Sequence, residues 1–198
     1  MTNELEAAKL PEGLGVSGET LTTSSLILRP LNPTDASAIA KLANNFKVAS
    51  MTESMPYPYY EADALRFIER CKSNMQDNCV YAIVEAGSGS LVGVCGLHAN
   101  HGQMGMPYMG YWLGESHWGK GYATEAARAL VDFFFKAGSQ DELLISVLTE
   151  NAASRRVIEK CGGKFWRKGI ATSVALEGER EVDHFKVTRE SWMGAIAA

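Results

Sequence analysis

Residues 111–125 read YWLGESHWGKGYATE, a run of apolar strand-like residues, then glycines at 114, 119 and 121, then a helical pattern. Residue types in this order suit an anion. The first amides of a helix lack internal partners, and the helix dipole places partial positive charge there. Gly119 and Gly121 let the backbone come close to a phosphate, Lys120 supplies a cation and Thr124 a hydroxyl. Gly114, Gly119 and Lys120 match the GxxxxGK of a nucleotide loop, but Gly121 stands where a magnesium-binding Ser or Thr belongs. A GxGxxG dinucleotide fingerprint fails at its third position, which is Thr124. A plain strand-to-helix turn that uses glycine for its geometry remains open beside these readings.

A second informative stretch is NAASRRVIEKCG, residues 151–162. Asn151 is a natural helix cap, and Ser154 falls in the first turn, where its hydroxyl is able to bond back to the cap.

Elements that hold these two stretches follow from periodicity. A first strand covers residues 25–31. Asn32-Pro33 then starts a helix, with Ala36, Ile39, Ala40, Ala43 and Phe46 at helical spacing. Residues 51–60 form a proline- and tyrosine-rich loop. A helix over 61–76 carries Leu65, Ile68, Cys71 and Met75 on one face. Strands 80–85 and 91–97 flank a Gly-Ser hairpin turn. A strand over 106–113, a helix over 120–137 and a strand over 143–148 make a parallel crossover unit. A helix over 151–161 and two strands, 165–176 and 181–188, follow, and Trp192 closes the chain. The order β α α β β β α β α β β implies an α/β fold on a mixed sheet.

With 198 residues the chain forms one ordinary domain with a real core. Residues 1–23 are expected to be a flexible tail and 193–198 a short C-terminal tail, leaving 24–192 as the domain. No apolar run approaches the ~20 residues that span a bilayer. Glu4 and Glu6 stand where a secretory signal wants positive charge. With 19 basic against 23 acidic residues the net charge is −4, which gives no global footprint for nucleic acid. Cys71, Cys79, Cys95 and Cys161 form no CxxC pair and read as free thiols of a cytoplasmic protein. His98 and His101 make an HxxH without further ligands, so no metal is expected.

The ordered set of motifs resembles the GCN5-related N-acetyltransferases, and within them the branch of bacterial ribosomal-protein N-terminal acetyltransferases. WGKGYATEA (118–126) is similar to that family's pyrophosphate loop, and N-x-x-S-x-x-V-x-E-K-x-G (151–162) to its following helix. The opening LILRPL and the closing D-x-F-x-V-x-R-x-x-W (183–192) also fit, so the resemblance spans residues 24–192. It implies a single-domain acyl-CoA N-acyltransferase fold: a mixed, mostly antiparallel sheet with splayed central strands, flanked by helices. It implies acetyl-CoA as co-substrate. The backbone of Tyr111, Trp112 and Leu113 would pair with its pantetheine arm. The segment Trp118, Gly119, Lys120, Gly121, Tyr122, Ala123 and Thr124 would hold its pyrophosphate. Asn151 would face the pantetheine, and Ser154 would lie near the sulfur to protonate the leaving thiolate. Glu125 reads as structural.

The sequence departs from the family at four places. Trp118 replaces the usual Gln or Arg, Ile158 stands where many members carry a tyrosine acid, Gly162-Gly163 ends the helix where Gly-Phe is usual, and Tyr108, a catalytic candidate with Ser154 and Glu115, stands where many carry a glutamate base. Candidate bases acting through water are Glu115, Glu53 and His98. Deprotonating a lysine side chain at pH 7 costs about 4.6 kcal/mol, against about 1.1 kcal/mol for a terminal α-amine. An enzyme without a strong base therefore suits an α-amine. The expected reaction is direct attack of a protein or peptide N-terminal amine on the thioester, in a monomer or homodimer. A small amine, polyamine, amino acid or antibiotic acceptor is the alternative, and a non-catalytic acyl-CoA-binding module a third. Tyr57, Tyr59 and Tyr60 either line a substrate mouth or pack over the sheet.

Overall fold

The computed structural model describes residues 19–74, 78–99 and 105–197. The assigned flexible tail therefore lies largely outside the described residues, as does His101. Eight strands form one sheet in the order β1-β2-β3-β4-β5-β6-β8-β7. They are β1 (Leu21–Thr22), β2 (Leu26–Pro30), β3 (Asn78–Glu85), β4 (Leu91–His98), β5 (Tyr108–Leu113), β6 (Glu142–Leu148), β7 (Lys164–Ser173) and β8 (Gly178–Thr188). Every pairing is antiparallel except β5–β6, which is parallel, as the crossover reading requires. The helices are α1 (Ala36–Ala43), α2 (Phe46–Ala49), α3 (Glu61–Ser73), α4 (Tyr122–Ala137), α5 (Ala152–Lys160) and α6 (Arg189–Ile196). No described helix is long and apolar enough to cross a membrane.

Alternation along the strands divides the core in two. On one face Met109, Leu113, Leu143, Ile145, Val147 and Phe185 pack with Leu130 and Phe134 of α4 and Ile158 of α5. On the other, Ala82, Val84, Val94 and Trp112 meet α1 and α3. The four cysteines are free; Cys79, Cys95 and Cys161 are buried and Cys71 is half-buried.

Three sequence expectations shift. The buried face of α3 is Ala64 and Ile68, whereas Leu65 is exposed, because the contact with α1 and the sheet lies one residue back around the helix. Phe46 is exposed because Asn45 caps a separate short helix and breaks the register set by α1. Residues 189–196 are helical, with Thr188 as cap, so regular structure runs past Trp192 into the expected C-terminal tail.

Asn32 caps the turn into α1 as expected, and its own N–H donates to Asp35 at 2.8 Å. Arg29 of β2 meets the same carboxylate through two bonds of 2.7 and 2.8 Å. Burial opposes the charge of Asp35, but Arg29 and the Asn32 amide outweigh it and hold the carboxyl below its usual range. A depressed native value means that this stabilisation is full above the unfolded carboxyl range and is lost as pH falls through the native one. Arg29→Met should cost about 1–3 kcal/mol at neutral pH. Urea unfolding from pH 6 down to 2 should show the wild-type advantage shrinking below about pH 4. An advantage independent of pH would contradict the pairing.

Candidate active site

The parallel strands β5 and β6 share only two rungs, Tyr108↔Leu144 and Met109↔Ile145, and then part. The backbone of β5 shows which groups are left at the opening. Leu144 N–H donates to Pro107 C=O, so odd-numbered residues of β5 face β6. Gly114 N–H donates to Val92 C=O, so even-numbered ones face β4. The N–H and C=O of Tyr111 and the N–H of Leu113 therefore point into the widening gap. Trp112 differs from the expectation for it. Its backbone belongs to the ladder with β4, where a side chain at Gly93 would meet the Trp112 carbonyl at 2.2 Å, and its ring packs in the second core.

Trp118 closes the remaining position: its indole N–H donates to the Leu113 carbonyl at 2.8 Å. The next residues form the glycine loop. Gly119 has φ 75° and Gly121 φ 85°, a region that other L-residues enter at a cost. A methyl group at either meets nothing within 4 Å, so backbone conformation rather than crowding calls for glycine there. Gly114 is the opposite case, since a methyl would press on Leu42 at 2.5 Å. Gly121 begins α4, and no side chain caps that helix. The first amides, at Tyr122, Ala123 and Thr124, thus face outward at the positive end of a 16-residue helix. Lys120 is exposed beside them. The Tyr122 hydroxyl donates to Glu85, which anchors the helix start to the end of β3. Glu125 accepts from Thr23 Oγ1, Ser24 Oγ and Ser25 N–H at 2.6, 3.0 and 2.7 Å, a structural role that ties α4 to the lead-in of β2.

Across the gap, Asn151 caps α5 by accepting from Ser154 N–H at 3.0 Å. Ser154 Oγ lies 2.7 Å from the hydroxyl of Tyr111. This hydroxyl pair spans the opening, and burial pushes the Tyr111 phenol well above its ordinary range, so it stays protonated. Ile158 is fully buried, so a hydroxyl at that position would point into the core. The Tyr111 side chain was not singled out from sequence, because strand alternation alone does not tell which strand residue meets a helix encoded forty residues later. Asp183, 2% exposed, receives Arg155 and Thr149 Oγ1 and thereby fixes α5 against β8.

The other expected residues lie on the α1–α3 face or beyond β5. Tyr108 stacks on His98 with ring centroids 4.5 Å apart. His98 Nδ1 is 2.5 Å from Asn78 Oδ1. Burial and the nearby Glu53 carboxylate push the Tyr108 phenol up. Glu115 sits in the turn after β5, bonded to Lys47 Nζ at 2.5 Å and Asn45 Nδ2 at 2.7 Å. Lys47, then Asn45, hold its carboxyl below the usual range, the reverse of what a base near neutrality needs. This arrangement makes Glu115 a clamp between β5 and the α1–α2 corner. The tyrosines divide: Tyr59 is buried, with its phenol pushed up to about 12 by burial, while Tyr57 packs edge-on to Phe46 and Tyr60 is exposed. Among the described residues no group of His, Cys, Asp and Glu is arranged to hold a metal.

A mixed sheet with one parted parallel pair, a glycine loop at the mouth of the gap and a hydroxyl pair across it define an acyl-CoA N-acyltransferase architecture. A family model described as acetyltransferase (GNAT) domain matches residues 25–164. A probable N-acetyltransferase of Bacillus subtilis, YjcK, is 30% identical over 167 residues, covering 81% of this chain and 91% of the relative. Among solved structures, RimL, a ribosomal L7/L12 α-N-protein acetyltransferase in complex with coenzyme A, superposes with TM-score 0.76 at 18% identity, covering 87% of this chain and 99% of that one. Mycobacterium smegmatis RimJ in complex with CoA-disulfide superposes with TM-score 0.73 at 20% identity, covering 87% and 88%. The chain belongs to the GNAT acetyltransferase family. It is an N-acetyltransferase.

Gly121→Ala should lower stability by roughly 1–2 kcal/mol through left-handed strain alone. In the same variant, CoA affinity measured by calorimetry should fall, because the loop amides turn away from their common focus. Unchanged affinity would detach the loop from ligand binding.

Proposed function

We propose that this enzyme moves an acetyl group from acetyl-CoA to the N-terminal α-amine of a protein or peptide. The observation that carries the cofactor half is the parting of β5 from β6 beside an uncapped, glycine-led helix. In this reading Tyr111 and Leu113 hold the pantetheine by backbone hydrogen bonds. The amides from Gly119 to Thr124, with Lys120, hold the pyrophosphate. Acetyl-CoA supplies an activated acyl group. The open cradle fits it, since Gly119 and Gly121 leave free space above the loop.

The protein's own part is positioning and proton control. A β5 amide in the gap polarises the thioester carbonyl. Ser154 lends its proton to the departing sulfur, and Tyr111, donating to Ser154 Oγ, keeps that serine proton turned outward. Asn151 fixes Ser154 through its backbone N–H.

The acceptor half rests on side chains of β5 and of the turn after it. Tyr108 stands at the position where related enzymes carry a glutamate, and Glu115 is bound to Lys47. A site so furnished suits an amine that gives up its proton at little cost, which favours an α-amine over a lysine side chain. The likeness to RimL, whose name describes α-N-acetylation of a ribosomal protein, supports the same class of acceptor.

Acetyl-CoA and CoA, but not ATP with magnesium, should raise the thermal midpoint by roughly 5–10 °C at about 100 times the dissociation constant. Peptides with a free N-terminus should gain one acetyl group by mass spectrometry. The same peptides blocked at the N-terminus but carrying lysine should not. Acetylation of small amines alone would redirect the reading to that class of acceptor. Tyr111→Phe should lower kcat about 10-fold or more with little change in KM for acetyl-CoA, the mark of an interaction made during reaction.

A further inference from the structure

On the sheet face opposite α4 and α5, a polar pair stands beside the opening between β5 and β6. Ser146 is the first residue of β6 after the last rung that it shares with β5. Its Oγ lies 2.8 Å from Nδ1 of His184, its antiparallel neighbour on β8. His184 is 3% exposed, while Ser146 remains part-exposed. The ring reaches this depth because Gly169 of β7 has no side chain; a methyl there would lie 2.3 Å from Nε2.

Register fixes what the pair faces. Ile145 points with Met109 into the first core, so Ser146 points the other way, on the face of Tyr108 and Trp112. The residue of β5 level with it is Gly110, and a side chain there would meet nothing within 4 Å. Ser146 therefore borders open space at the point where the two strands begin to part.

We propose that Ser146 and His184 form the proton relay that deprotonates the acceptor amine. The proposal rests on the acetyl-transfer reading above and supplies the base that reading lacks. The amine N–H bond breaks and its proton passes to Ser146 Oγ. The serine O–H bond breaks in the same step, and that proton passes to Nδ1 of His184. The nitrogen lone pair so freed forms the new N–C bond to the acyl carbon, and the C–S bond electrons leave with the sulfur. The imidazolium then returns its proton to solvent. Ser146 is the catalytic residue, and His184 acts through it. An imidazole and an α-amine are close in proton affinity, whereas a lysine amine lies far above both.

Among the described residues, several charged groups stand on the elements packed around His184. Arg167 of β7 is in register with it. Lys186, two residues along β8 and on the same face, is paired with Glu142 of β6 at 2.7 Å. Across the opening on the same face stands Tyr108 of β5, with Glu53 near it. Asp183 points to the other face, where it holds Arg155.

The test uses CoA release by the full chain, with free-N-terminus peptides and with spermidine as acceptors. Ser146→Ala should lower kcat by about 10²–10³-fold while KM for acetyl-CoA stays within about twofold. Ser146→Thr should recover most of the loss. His184→Asn, which retains a hydrogen bond to Ser146 without titrating, should lose a similar factor. It should also lose the acid limb of the kcat–pH profile that stays put when the acceptor amine is changed. The acetyl-CoA thermal shift reports that each variant is folded. Folded variants that turn over at the wild-type rate, or an acid limb that survives in His184→Asn, would overturn the relay alone. A wild type that binds acetyl-CoA but acetylates only spermidine would overturn the α-amine reading, and the relay would still be decided on spermidine. A wild type that acetylates neither acceptor overturns both.

Discussion

Everything at this site follows from one broken ladder. Two parallel strands that share two rungs and then part leave backbone donors and acceptors on β5 with no strand beside them. Unpaired main-chain groups in a sheet interior are costly, and a structure retains them only where something else satisfies them. The indole of Trp118 takes the Leu113 carbonyl. The remaining groups, on Tyr111 and Leu113, form a short edge inside the sheet. An extended, amide-bearing arm completes such an edge as another strand would.

The parting is held from both sides. On the β5 side, Glu115 pins the exit turn to Lys47 and Asn45, and Glu125 and Tyr122 pin the following helix to residues 23–25 and to Glu85. On the β6 side, seven rungs to β8 keep the strand in the sheet, and the Asp183–Arg155 pair seats α5 against it. Helix α5 brings Asn151 and Ser154 to the gap, and α4 brings the glycine loop. The gap has two chemically different faces. One carries the Tyr111–Ser154 hydroxyls, the other Tyr108, Gly110 and Ser146. A thioester lying between them would meet a proton donor on the first face and the incoming amine on the second.

Much of this was legible in the chain. The crossover from strand to helix to strand dictates the parallel pair, and glycines at 119 and 121 before a helical pattern mark the left-handed turn that opens α4. Asn32 and Asn151 act as caps, as their residue type suggests. Less legible were features that depend on register between distant segments. Strand alternation assigns Trp112 to the β4 ladder only once the pairing with Val94 is known. The pairing of Glu115 with Lys47, nearly seventy residues earlier, has no local signal either. Ser146 and His184 carry no local motif, and only the antiparallel register of β6 and β8 brings them together.

The same two rungs have a consequence for how the chain folds. Strands β2 to β5 join successive neighbours and form one locally wired plate, and β6, β7 and β8 form another. Contacts close in sequence form fast, because little chain entropy is lost in closing them. The junction between the plates is two rungs long and is spanned by the crossover helix α4, whose buried face is Ala126, Ala127, Leu130, Val131 and Phe134. Topology alone therefore predicts that pairing within each plate precedes the junction, which α4 bridges. The seam between the two plates is the same opening that leaves Tyr111 and Leu113 without a strand beside them.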